Sequence, residues 1–555
     1  MIDKINWKIK GVKSTDCLAG LAFFFASVFF FYDLFDGRHL LTERDLAPYF
    51  IPPRFFWVES IKHGSIPLWN PYQFSGHPFF ANPQYALLYP FNGLFFLLPF
   101  DVAFNAIIIL HFFLGGLFTY LLLRDLKVNP TGSLISGLIF MLSGYLLSVH
   151  SLLTILLSSV WTPLIMLFFR RAILTPGFKN EILTAIFITF SFFGGGIEIV
   201  YGNFFVLLIM VIFLNSPCIS PESSVGDKPR RYRFPFPVPI LKFLSSVPIY
   251  CGRIRSLFIV SIVFLFFSAI QLFPFVELFH HSIRGSGMSY PEATTWSFAP
   301  KDILLFFLPD AYGYFLDMKK YWITQCWFKT LYTGGLPFIL SAIFFIFGKN
   351  RKLYLALMLF SLFLALGKYN PLYYFVFKYI PFFNGIRYPA KFLYIFILIL
   401  SITAGLGFQK LSEYSKDNEK RGLKHFLIVI SLISGFLLLL SALGHQQVEH
   451  FLKLRGIDAP DFNVLSLNLH HAKRFLFYLA IFFLLLRVGY EKRWKRWVKI
   501  LLLFFLITDL FGNMGFYGKE KTEDYFRKTK ALEMISSDKD WFNCQNHFAG
   551  NDHYY

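Results

Sequence analysis

Acids, aromatic rings, amides and prolines crowd into one stretch of this chain, from Asp36 to Asn92. It reads D-G-R-H-L-L-T-E-R-D-L-A-P-Y-F-I-P-P-R-F-F-W-V-E-S-I-K-H-G-S-I-P-L-W-N-P-Y-Q-F-S-G-H-P-F-F-A-N-P-Q-Y-A-L-L-Y-P-F-N, and it carries Asp36, Glu43, Asp45 and Glu59. Loops of this length are usually functional or disordered, and this one is too aromatic for disorder. Asp45 sits just beyond the first long apolar segment. A carboxylate walled by aromatic rings loses solvation, which raises its pKa and suits it to take up a proton near neutral pH. Arg44 beside it pulls the other way. Asp36 and Glu43 compete with Asp45 for the same role.

The run that follows, I-P-L-W-N-P-Y-Q-F-S-G-H-P-F-F-A-N-P-Q-Y, has the makings of a rigid shelf. Pro67, Pro71, Pro78 and Pro83 fix φ along it. Trp69, Tyr72 and Tyr85 are candidates to stack on a sugar face, and Asn70, Gln73, Asn82 and Gln84 to bind hydroxyls. The same residues also read as Asn-Pro turns and as an aromatic belt at a membrane interface. Two further acids are candidate substrate contacts. Glu198 follows three glycines in S-F-F-G-G-G-I-E, where it either faces a cavity or snorkels to water. Glu277 lies in Q-L-F-P-F-V-E-L-F-H-H-S-I-R. Arg284 closes that stretch, and a guanidinium fork matches phosphate oxygens. Arg387 and Lys391, in P-F-F-N-G-I-R-Y-P-A-K-F, are two more cations for a phosphate, or plain anchors at a helix mouth. His280 and His281 are adjacent, so on a helix they point about 100° apart and chelate poorly. The sequence demands no metal ligand set, although a divalent cation bridging carboxylate and phosphate is compatible with it. Nucleotide-binding, dinucleotide, zinc-protease and serine-hydrolase motifs are lacking.

These residues must be positioned by helices in a bilayer. The 555 residues are 55% hydrophobic and 21% aromatic, with mean hydropathy +0.53 and only 15% charged. Soluble domains carry roughly 25% charged residues, so the composition predicts an all-α polytopic membrane protein. Thirteen apolar segments are predicted as membrane-spanning helices: 15–35, 106–124, 131–149, 152–169, 182–198, 199–214, 256–275, 331–348, 353–367, 391–408, 425–443, 474–489 and 498–516. The pair 182–198 and 199–214 carries the weakest signal. Residues 85–100, interrupted by Pro90, Asn92 and Gly93, are expected to form an interfacial or re-entrant helix.

The net charge of +20 does not imply nucleic acid, because Lys and Arg sit between the apolar segments. With the N-terminus inside, the inner segments hold 30 of the 53 Lys and Arg, at more than twice the outer density. That orientation makes 36–105 an extracytoplasmic loop and leaves the C-terminus extracytoplasmic. The basic, Pro-rich stretch 215–255 becomes a cytoplasmic connector. Three parts are expected: a transmembrane module at 1–408, C-terminal helices at 409–516, and an outer tail at 517–555 that is short or truncated. Five cysteines form no C-x-x-C pair, and Cys326 and Cys544 share the outer side.

The shelf motif G-S-I-P-L-W-N-P-Y-Q-F-S-G-H-P-F-F-A-N-P-Q-Y-A-L-L-Y-P-F-N resembles the hallmark of the bacterial YfhO-like membrane proteins. Q-L-F-P-F-V-E-L with S-I-R-G, then Y-T-G-G-L-P, then L-G-K-Y-N-P-L-Y with P-F-F-N-G-I-R-Y-P-A-K-F, continue the resemblance across about residues 15–410. D-L-F-G-N at 509–513 is a weaker echo. The resemblance implies a GT-C-like bundle in the bacterial cell membrane and an inverting glycosyltransferase. Such enzymes use a polyprenyl-phosphate sugar donor and modify envelope glycopolymers such as teichoic acid. The acid of the first outer loop then falls on Asp45 and the phosphate contacts on Arg284 or Arg387. A flippase or transporter of a lipid-linked sugar would bind the same ligand without making a bond. It should show paired repeats with broken helices, which the sequence lacks.

Overall fold

The computed structural model describes residues 14–73, 75–175, 178–214, 239–309, 311, 327–417, 421–443, 450, 459–513 and 517–527. Cys326, Cys544 and most of the connector 215–255 lie outside them. Among the described residues the fold is all-α apart from two short two-stranded sheets. Helices α1 (Ser14–Phe30) and α2 (Ile51–Lys62) flank the start of the loop. Then follow α3 (Phe100–Asp125), α4 (Pro130–Met141), α5 (Gly144–Val149), α6 (Leu153–Ser159) and α7 (Thr162–Leu174). Next come α8 (Phe178–Phe193), α9 (Ile197–Phe213) and α10 (Pro239–His281). Later long helices run Leu336–Phe347, Arg351–Ala365, Leu393–Asp417, Arg421–Leu443, Ala459–Glu491 and Arg496–Leu510.

Among the described residues each of the thirteen predicted segments contains a helix or a helix pair split by a short break. Five stretches are long and apolar enough to cross a membrane: Phe100–Asp125, Pro130–Val149, Leu153–Leu174, Gly252–His281 and Pro389–Tyr414. The chain is a multi-pass membrane protein. Small residues let these helices approach closely, as expected where lipid provides no hydrophobic drive between them. The Ser136 hydroxyl donates to the Ser401 carbonyl (2.7 Å), joining α4 to the helix Leu393–Asp417.

Two local outcomes shape the site. The weakly signalled pair is two helices, because Gly194, Gly195 and Gly196 break the run. Gly195 has φ +89° and lies under the loop: a Cβ there would meet the Pro83 carbonyl at 2.5 Å. Residues 85–100 form 3-10 turns (Pro83–Tyr85, Pro90–Phe96) rather than one helix. Ala86 adopts a left-handed conformation and Pro90 cannot donate, so no α-helical ladder propagates. Tyr85, Tyr89, Asn92 and Phe95 are buried while Phe96, Leu97 and Leu98 are exposed, so the turns pack one side on protein and leave the other open.

The first loop also buries a cation. Arg54 in α2 is 2% exposed; its Nη1 donates to the Phe50 carbonyl (3.1 Å), while Nη2 has no hydrogen-bond partner among the described residues. Burial pushes the guanidinium down to about 9. Because the charged form is the penalised one, stability should be low at neutral pH and recover as pH rises from about 9 towards 12.5. Replacing such a charge by a packed apolar side chain is often stabilising by roughly 1–4 kcal/mol. Arg54→Met is therefore expected to raise the melting temperature in detergent, and a clear drop would refute this account.

Candidate active site

The loop enters the site along strand β1 (His39–Leu41). Asn105 of α3 holds the strand: its Oδ1 accepts from Leu41 N (3.1 Å) and its Nδ2 donates to the His39 carbonyl (2.7 Å). On its other edge β1 pairs antiparallel with Lys519–Lys521, with Leu40 opposite Glu520. The next residues, T-E-R-D, turn sharply. Arg44 is left-handed at φ +51°, an unfavourable conformation for a long side chain, and such outliers gather at functional sites. Residues Leu46–Phe50 then form a π-turn, with the Asp45 carbonyl accepting from Tyr49 N (3.1 Å) and Phe50 N (3.0 Å).

Neighbouring acids receive different environments. Glu43 faces inward. Lys329 Nζ pairs with Oε1, Gly518 N donates to Oε2 (2.8 Å), and His150 Nε2 lies 3.3 Å from Oε2, off the line of a hydrogen bond. His150 sits between α5 and α6. Burial alone would raise the Glu43 pKa, but His150 and Lys329 outweigh it and push it down to about 2. The carboxylate thus lends stability above its unfolded pKa near 4.5, lost as pH falls towards about 2. The amount is on the order of 3 kcal/mol. Thermal unfolding followed from pH 5 to pH 2 should show this loss, and it should shrink in Glu43→Gln; an unchanged profile would refute it.

Asp45 faces the cations. It is half-buried and its carboxylate makes no side-chain hydrogen bond among the described residues. Burial raises its pKa above the usual 3.8, with Arg44 and Lys391 pulling back. Arg44 itself donates from Nη1 to the Trp327 carbonyl (2.9 Å). Lys391 is buried, pairs with Glu198 at the start of α9, and lies 5.2 Å from the Tyr388 ring centre and 5.7 Å from that of Trp327. Arg387 lies over the same Tyr388 ring, 4.9 Å from its centre. Tyr388 is left-handed at φ +66° and packs against Trp296 with centroids 4.3 Å apart. Arg284, in the turn after α10, neighbours Arg387, Glu198, Tyr49 and Tyr388; burial and then Arg387 hold its pKa below the ordinary guanidinium value. The fold thus gathers Asp45, Glu198, Arg284, Arg387 and Lys391 from four distant stretches.

The shelf residues are placed differently. Gln84 links shelf to cluster: the Tyr49 hydroxyl donates to its Oε1 (2.5 Å). Asn82 Oδ1 caps the following 3-10 turn by accepting from Gln84 N (3.1 Å), and buried Asn70 accepts from Tyr72 N (2.9 Å). Gln73 Oε1 accepts from the Tyr85 hydroxyl (3.3 Å). Trp69, in strand β2 (Trp69–Asn70) paired with β3 (His77–Pro78), is 54% exposed and covers Gly76, where a Cβ would meet the indole at 2.7 Å. Tyr72 is 65% exposed and leans on Phe56. It borders an open apolar groove of about 410 Å³ that α2 forms with Tyr525 and Phe526. Glu277 is exposed on α10.

Among the described residues no group of three or more His, Cys, Asp or Glu is placed to hold a metal ion. Glu43, the acid closest in sequence to Asp45 on its N-terminal side, is already engaged by Lys329. Among the described residues a bridging divalent cation therefore finds no protein ligand set here. Lys329, His150, Gly518 and Tyr49 enter the site without any local sequence signal.

No family model matches the chain, and no curated protein matches it. Among solved structures it is similar to ArnT from Cupriavidus metallidurans, whose crystal structure is bound to undecaprenyl phosphate. The TM-score is 0.47 and the identity 13%, over 90% of this chain and 76% of that one.

Proposed function

We propose that this chain is an inverting membrane glycosyltransferase, moving a sugar from a polyprenyl-phosphate donor to an envelope glycopolymer on the extracytoplasmic face. The observation that carries the reading is the pairing of opposites. A carboxylate with no side-chain hydrogen bond among the described residues, its pKa raised by burial, lies near the buried Lys391, which Arg284 and Arg387 neighbour in turn. That arrangement serves a displacement at an anomeric carbon. Asp45 takes the proton of an acceptor hydroxyl, whose oxygen attacks the anomeric carbon from the face opposite the phosphate. The new C–O bond forms as the bond to the phosphate oxygen breaks, and the electron pair leaves on the polyprenyl phosphate. Arg284, Arg387 and Lys391 would neutralise that leaving group, and in a low-dielectric setting fixed charges act strongly. Tyr49 and Gln84 offer a hydroxyl and an amide to the sugars, and Trp69 and Tyr72 exposed ring faces.

The test is transfer by the reconstituted protein. Purified protein is given polyprenyl-phosphate donors carrying several labelled sugars, with an envelope fraction as acceptor, and label is followed into polymer. Label in the polymer supports the reading. Label that instead crosses sealed vesicles without entering polymer would replace it with a flippase.

A further inference from the structure

The base proposed above is held by its backbone alone, since its own carboxylate makes no side-chain hydrogen bond among the described residues. What keeps Asp45 in place must therefore be whatever fixes residues 42–47 around the strained Arg44. One side is supplied by Trp327 and Lys329. The other is supplied by the segment Tyr517–Arg527, which follows the helix Arg496–Leu510. Thr42 N donates to the Gly518 carbonyl (3.2 Å) and Gly518 N returns a bond to Glu43 Oε2 (2.8 Å). The Tyr525 hydroxyl donates to the Ala47 carbonyl (2.7 Å). The three residues Lys519–Lys521, strand β4, extend this contact along β1, and Thr522 N donates to the Arg38 carbonyl (2.8 Å). The segment is itself latched to the end of the first helix: the Tyr517 hydroxyl donates to Asp33 Oδ1 (2.5 Å) and Lys519 pairs with Asp33.

We infer that Tyr517–Thr522 is a clasp that positions Asp45, acting through Glu43 as the positioning residue. Glu43 joins four parts of the chain that share no local sequence: the loop, the His150 turn, the Lys329 segment and the Gly518 amide. A three-residue strand pair is marginal by itself, so the latch at Asp33 and the buried carboxylate provide its hold. Space is tight at the junction. A Cβ on Gly518 would lie 3.2 Å from the Glu43 Cβ, closer than ordinary van der Waals contact. The clasp brings the C-terminal part of the chain into the catalytic unit without placing any of its residues on substrate.

The inference rests on the glycosyltransferase reading for its kinetic consequence, but not for its structural one. Asp33→Asn combined with Lys519→Met weakens the latch while leaving Glu43, Arg44 and Asp45 untouched. Amide exchange of peptides spanning residues 42–47, and trypsin cleavage at Lys521, should both rise in this variant. Transfer should fall about 10- to 100-fold in kcat, the scale of a displaced catalytic group, with donor KM within about twofold. His39 and Lys521 face each other across the strand pair. A disulfide between His39→Cys and Lys521→Cys in the same background should restore kcat, and its reduction should remove it again. Unchanged exchange at 42–47 would overturn the clasp, whether or not the protein transfers sugar. A wild type that transfers nothing while exchange still rises would sink the glycosyltransferase reading alone. Raised exchange with an undiminished kcat would overturn the link from clasp to base.

Discussion

Asp45→Asn is expected to abolish sugar transfer while leaving the protein at least as stable as wild type. The loss follows from the chemistry. An amide cannot accept the acceptor's proton, and general base catalysis contributes about 10²- to 10⁴-fold. The retained stability follows from the geometry. Asn has the shape of Asp, and no side-chain hydrogen bond of Asp45 is at risk among the described residues. The direction follows from linkage. The folded-state pKa is raised by burial, so the native state binds the proton more tightly than the unfolded one. Stability then declines as pH rises from the unfolded value of 3.8 through the folded one. At neutral pH the ionised carboxylate is a strain that Asn relieves. The same displacement should set the acidic limb of kcat/KM in wild type above the ordinary aspartate range. Melting temperature and transfer rate, measured together, decide the point. A variant transferring at the wild-type rate would remove Asp45 from the mechanism, and a variant that melts early would show that its carboxylate has a structural partner.

This separation of roles between Glu43 and Asp45 was beyond the sequence. Both acids stand in T-E-R-D and read as competitors, and neighbouring residues with opposite fates are decided by contacts. Gly518 reaches Glu43 across 475 residues, and nothing in G-K-E-K announces it. Lys329 and His150 are equally silent. Helices were far more legible, because a spanning segment advertises itself by local composition over about 20 residues. The weakly signalled pair divides at 194–196, a few residues before the expected boundary at 198–199. Glu198 stood out because an ionisable group in apolar sequence is expensive and needs a purpose, and Arg284, Arg387 and Lys391 because they are cations suited to a phosphate. The shelf amides were ambiguous for the opposite reason. In Asn70-Pro71 and Asn82-Pro83 one residue type suits both a turn and a hydroxyl contact, and the turns use both carboxamides as acceptors for their own backbone.

The remaining large effect concerns the pair Glu198–Lys391, which sequence alone reads as two site residues and the fold joins directly. Lys391→Met is expected to destabilise by about 3–5 kcal/mol, because it leaves a buried carboxylate without its nearest cation. Arg284 beside Glu198 softens this but does not replace a direct contact. Adding Glu198→Gln to that variant should recover most of the stability, since removing both members of a buried pair is often close to neutral. Activity is expected to behave otherwise. If Lys391 also faces the leaving phosphate, the double variant folds like wild type and still transfers poorly, with the loss in kcat rather than in donor KM. Wild-type transfer by the stable double variant would confine Lys391 to holding Glu198, and the phosphate would pass to Arg284 and Arg387. A double variant as unstable as the single one would mean that the pair's environment, rather than its mutual charge, holds α9 against the helix that follows Lys391. The double-mutant cycle on stability and the same cycle on kcat thus measure two different couplings through one lysine. The proposed mechanism requires the first to be large and the second to persist when the first has been removed.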